Sequence, residues 1–160
     1  MGQWANYFLS TAGGAAALTG LIFVSVSLNL KRILSINHLP ARALGSLVLL
    51  ANILIVSSLC LIPGQSLAVL GIEVSLFGVT IWIVLTRMDI VMYKTTIQEY
   101  KIHYIRNLVY SQLAAVPYLV AGGCLLGKSA AGFYWLVAGI TFSFIKSLTD
   151  AWVLLVEINR

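Results

Sequence analysis

Apolar residues in this chain run on past the length at which a soluble helix or strand would return to water. Five stretches, residues 8–30, 41–62, 66–86, 107–127 and 132–157, are dominated by Leu, Ile, Val, Ala and Phe. Each is long enough to cross roughly 30 Å of hydrocarbon, which takes about 20 helical residues. No ten-residue alternation points to a barrel, and lipid cannot satisfy free backbone groups, so the spans are predicted to be helices. The expected fold is all-α: one membrane domain over residues 1–160, a polytopic bundle of five spans. The second span is expected to stop at the Pro63-Gly64-Gln65 turn. Residues 87–106 form the longest connection, where Ile97, Tyr100, Tyr104 and Leu108 follow helical spacing. The fourth span is therefore expected to begin a few turns before residue 107, or to approach along the interface.

Composition agrees with the pattern. Hydrophobic residues make up 60% of the chain and charged residues 9%, where a soluble domain carries about 25% charge; the mean hydropathy is +0.96. The net charge of +5 sits in short loops, which suits topology and lipid headgroups rather than nucleic acid. Eight of the ten Lys and Arg residues fall on one side of the spans, Lys128 on the other, and Lys146 within. The positive-inside rule then predicts an outer N-terminus and a cytoplasmic C-terminus, in a bacterial inner membrane. Trp4, Tyr7, Tyr134 and Trp135 would mark the outer interface, and Trp82, Tyr104, Tyr110 and Trp152 the inner one. The first apolar run lacks the basic flank of a signal peptide and is expected to be retained.

The last span is the unusual one. Ser143, Lys146, Ser147, Asp150 and Glu157 recur at spacings of three, four or seven and so share one helix face. Ionisable groups in a bilayer cost roughly 2.5–3.5 kcal/mol each on insertion scales, so that face is expected to meet protein or water. Centring the third span near Leu76 and the fifth near Phe144 puts Glu73 close to the depth of Lys146. A Glu73–Lys146–Asp150 cluster, flanked by Ser143 and Ser147, is the predicted ion or proton site or gate. Its alternative is a neutralised interhelical clamp.

Other polar and small residues predict packing. Gly13/Ala17 and Ala16/Gly20 are small-xxx-small pairs that permit close helix approach, within the protomer or between copies. Asn52, Ser111 and Gln112 are expected to hydrogen-bond across helices, Asn29 to cap the first span, and Pro117 to kink the fourth. Cys60 and Cys124 read as small buried hydrophobes. His38 and His103 lie in loops, and no acid/base, metal-ligand or phosphate-cradling pattern appears, so neither enzyme, metal nor cofactor is expected.

Residues 20–29, Gly-Leu-Ile-Phe-Val-Ser-Val-Ser-Leu-Asn, with Leu61-Ile-Pro-Gly-Gln65 and Ala151-Trp-Val-Leu-Leu-Val-Glu-Ile158, resemble stretches of small bacterial multi-pass membrane proteins. The resemblance implies the fold and no activity. The expected function is a homo-oligomeric channel or small transporter in contact with the lipid bilayer. The alternative is a non-transporting assembly or regulatory subunit bound to a membrane protein partner.

Overall fold

The computed structural model describes residues 4–36, 39–95 and 101–158, the side chains of 95, 101–104 and 157–158 excepted. These residues form six helices: α1 (Ala5–Leu28), α2 (Leu30–Ser35), α3 (Leu39–Leu59), α4 (Leu67–Thr95), α5 (Lys101–Leu126) and α6 (Ala131–Ile158). Five of them, all but α2, are long and apolar enough to cross a membrane. This is the build of a multi-pass membrane protein.

Two helix boundaries differ from the expected ones in ways that matter. The first span ends at Leu28, where Asn29 caps it through its backbone N–H and its side-chain amide, both on the Ser25 carbonyl. The chain then resumes as the short α2. The third span does not stop at residue 86: Arg87, Asp89 and Lys94 interrupt the apolar run but not the helix, which continues to Thr95. Charge ends a hydrophobic stretch without ending backbone hydrogen bonding. Trp82 thus lies halfway along α4, its indole N–H donating to Gln112 at 2.7 Å, rather than at a helix end. The start of α5 at Lys101 meets the expectation of an early fourth span. Ile97, Tyr100 and His38 lie outside the described residues, as do the side chains of Tyr104, His103 and Glu157.

α4, α5 and α6 pack side by side, and α3 lies across α6 and α4. α1 rests mainly on α3 and is peripheral: 11% of its most apolar window is buried, against 50% for α3. The main core gathers Phe8, Ala15, Leu50, Ile53, Val56, Leu70, Val74, Tyr118, Leu125, Leu136 and Ile140. At the end holding the α3–α4 turn, Trp4 stacks on Phe133 at 5.8 Å and meets Tyr134 edge-on at 5.1 Å. At the opposite end Ile33 of α2 closes on Leu39 and Leu154.

Close approach comes from glycines other than those the sequence pattern singled out. A Cβ on Gly71 would lie 2.7 Å from the Leu126 nitrogen, and one on Gly122 would lie 2.9 Å from the Ser75 nitrogen. Gly132 is pressed against Leu125 and Ala121 of α5. By contrast Gly13, Ala16, Ala17 and Gly20 are all exposed on α1, and a Cβ on Gly13 or Gly20 would meet nothing within 4 Å. Their tight contact is not made within the protomer. α5 runs unbroken through Pro117.

The α5–α6 turn places Lys128 at φ 57, where glycine is favoured. Its N–H bonds the Leu125 carbonyl and that of Ser129 the Cys124 carbonyl, the double closure of a left-handed helix cap. A side chain costs about 1 kcal/mol there. Lys128→Gly is therefore expected to raise the thermal midpoint of unfolding in detergent by a few degrees.

Candidate functional site

The polar face of α6 points into the bundle. Lys146 is 5% exposed and Asp150 2%, and Ser143 and Ser147 are fully buried. Away from that face, Leu136 and Ile140 enter the core, while Trp135, Ile145, Leu148 and Val156 stay exposed. The helix therefore separates a charged interior edge from a lipid-suited exterior one.

Lys146 pairs with Asp150 one turn on, and Asp150 receives a second cation, Arg42 of α3, at 3.3 Å. Arg42 counts among the loop cations in the sequence pattern, but it stands one turn inside α3 and turns inward. Opposite them on α4 is Asp89, 5% exposed, whose Oδ1 accepts from the Asn107 amide at 2.7 Å. Ser111 lies beside the same carboxylate, and both Lys146 and Asp150 are within electrostatic reach of it. Two cations and two anions from three helices thus surround a cavity of about 10 Å³, with Asn107 and Ser111 of α5 in its wall. That is room for roughly one water.

Glu73 is not part of this cluster. Its carboxylate accepts from the Gln65 amide near the α3–α4 turn. The physical reason is register. Gly71 and Gly132 both press on the last turns of α5, at Leu125, and so share a level. Glu73 lies two residues beyond that level and Lys146 fourteen, an offset of about 18 Å at 1.5 Å per residue. The unexpected length of α4 shifted the centre of that helix, and with it the acid that reaches Lys146: Asp89 takes the place expected of Glu73.

The cluster ends a longer polar seam between α3 and α6. Next to it, Ser46 and Ser147 exchange hydrogen bonds reciprocally, each hydroxyl donating to the other's carbonyl at 3.2 Å. Further along, the buried Tyr118 hydroxyl meets Ser143 at 3.3 Å, with Asn52 beside it. Ser57 closes the seam against Thr11 of α1 at 3.0 Å. The rungs on α3, at residues 42, 46, 52 and 57, are about 6–9 Å apart. Along this seam Arg42 Nε, Asn52 Nδ2 and Asp89 Oδ2 are buried without a hydrogen-bond partner. Both cysteines are free, and among the described residues no group of three or more His, Cys, Asp or Glu has metal-binding geometry.

Of the residues singled out from the sequence, Lys146, Asp150, Ser143, Ser147 and Asn52 are buried along the seam. Asp89, Arg42, Ser46 and Tyr118, which lie beside them, were not among the candidate site residues. Periodicity held a usable signal for two of them: Arg42 and Ser46 are four apart, as are Lys146 and Asp150, so each pair marks one helix face.

The fold and the site together define a helical, multi-pass membrane protein with a neutralised charge cluster near one end of its bundle. No family model, curated protein or solved structure matches the chain, so similarity adds no activity to that class.

Proposed function

We propose that this protein is a proton-conducting membrane protein whose Arg42–Lys146–Asp150–Asp89 cluster gates the seam between α3 and α6. The observation that carries the reading is that, among the described residues, three of the four buried polar atoms without a hydrogen-bond partner, on Arg42, Asn52 and Asp89, lie along this seam, the fourth being on Gln65. A purely structural clamp satisfies its buried groups, because each orphan costs about 1–3 kcal/mol. Groups left open along one seam suit transient water instead. The cargo is a proton rather than a hydrated metal ion, since the cavity beside the cluster takes roughly one water.

Asp89 is the proton-accepting group. Protonation of its free oxygen removes one negative charge, leaving the cluster net positive and loosening the hold on Lys146. Ser46, Ser147, Tyr118 and Ser143 supply hydroxyls that accept and donate in turn. Glu73 lies outside this route. The bulk of the basic side chains at the cluster end, Lys31, Arg32, Arg87 and Lys94 among them, support a cytoplasmic placement of that end in a bacterial inner membrane. The proposal keeps a homo-oligomer, with the uncovered Gly13/Ala17 and Ala16/Gly20 face of α1 as the contact between copies.

Purified protein in liposomes carrying a pH-sensitive dye is expected to admit protons under an imposed potential, with no matching Na⁺ or Cl⁻ flux. Asp89→Asn and Lys146→Met are each expected to cut the rate at least ten-fold. A wild-type protein that leaves the internal pH unchanged would end this reading. The second reading, a non-transporting assembly subunit, is favoured by the equal count of cations and anions in the cluster. It predicts no flux and recovery of a stoichiometric membrane protein partner.

A further inference from the structure

Asp89 faces two cavities. Besides the one it shares with Lys146 and Asp150, it lines a second, of about 170 Å³, between α4 and α5. Among the described residues, the rest of that second wall is Ile90, Tyr93, Ile105 and Leu108. Neither Arg42 nor Lys146 lines it. Ile90, Tyr93 and Ile105 are 40–50% exposed on the outside of the bundle, so the groove opens toward the surrounding lipid.

The chemistry of the wall selects an occupant. Four of the five described lining residues offer carbon or an aromatic face, which suits an apolar body. A dry cavity of about 150 Å³ takes up benzene, so 170 Å³ suits a ring with a one- or two-carbon arm. Among the described residues Asp89 supplies the one formal charge in the wall, and its Oδ2 is buried without a partner at hydrogen-bond distance, with Ser111 beside the carboxylate. A hydrocarbon chain from a neutral lipid fills the volume but leaves that oxygen unpaired. An ammonium group supplies a donor for that oxygen.

We propose that the α4–α5 groove binds a small organic cation, a protonated primary amine on an aromatic or branched apolar body, with its ammonium on Asp89. The amine enters from the bilayer, where amphiphilic cations concentrate. The site does not rest on proton conduction, and it is read by binding rather than by flux.

The test uses the full chain in phosphatidylcholine nanodiscs, with 4-fluorobenzylamine as probe, fluorine NMR as readout and empty nanodiscs as the partition blank. Saturable binding is expected, with 4-fluorobenzyl alcohol at least ten-fold weaker because it lacks the charge. Asp89→Asn is expected to weaken the amine at least ten-fold. Ile105→Trp, which fills the groove from an exposed position, is expected to abolish binding. Should Asp89→Asn fail to fold, the amine–alcohol comparison and Ile105→Trp still decide. Equal binding of amine and alcohol, undiminished binding in either variant, or no saturable signal above the blank would each overturn the site. A wild-type protein that binds the amine but passes no protons would overturn the conduction reading alone.

Discussion

Asp150→Leu is expected to be the most destabilising single change in the bundle, by about 3–5 kcal/mol. Asp150 is the one anion that pairs directly with both Lys146 and Arg42, so its loss strands two cations in the interior. The cost lies less in the attraction lost than in the charges left uncompensated away from water. Lys146→Met is expected to cost clearly less, because Arg42 still pairs with Asp150. The quadruple variant Arg42→Leu, Lys146→Met, Asp150→Leu, Asp89→Asn removes all four charges of the cluster and is expected to recover much of the loss. Stepwise denaturation in detergent, followed by loss of helical circular dichroism, orders the three. A single Asp150→Leu protein as stable as the wild type would show that the cations reach solvent, contrary to the burial described.

The second large effect concerns helix crossing. Gly122→Val places branched carbon against the Ser75 backbone, and Gly71→Val does the same against Leu126. Backbone cannot yield as a side-chain tip does, so α4 and α5 must separate. A loss of about 3 kcal/mol or more is expected, at the upper end of overpacking costs. Gly13→Val and Gly20→Val face open space and are expected to leave the unfolding of the monomer within about 0.5 kcal/mol of wild type. If they instead shift the protein toward smaller species in detergent, the α1 face is an intersubunit contact. Unfolding curves for the four variants, read beside size-exclusion profiles, separate the two roles.

These glycines also show where sequence reading reaches its limit. A small-xxx-small pair states that a close approach is permitted, not that a helix takes it up. Gly13 and Gly20 form the cleaner pattern but lie on the outermost helix, whereas Gly71, Gly122 and Gly132 stand apart in sequence and converge only after three helices pack. Number of spans, their helical nature and the burial of the polar edge of α6 were legible, because each follows from apolar length or from the cost of exposing charge to lipid. The partner of that edge was not. Choosing between Glu73 and Asp89 required the register of α4, and the register depended on a boundary hidden by Arg87, Asp89 and Lys94. Arg42 was hidden by its own type: a cation beside a loop marks topology unless its side chain turns inward, and direction is a tertiary fact.

The charge cluster is also a matter of timing. Arg42 and Asp150 stand 108 residues apart, and Lys146 and Asp150 both arrive on α6. A nascent chain that has threaded its first four spans therefore carries an arginine and an aspartate with no counter-ion from α6. α6 must be made and inserted before those charges are quenched, so a chain truncated ahead of α6 is expected to be a product that the membrane tolerates poorly and that quality-control proteases clear. α6 thereby seals the half of the bundle that precedes it.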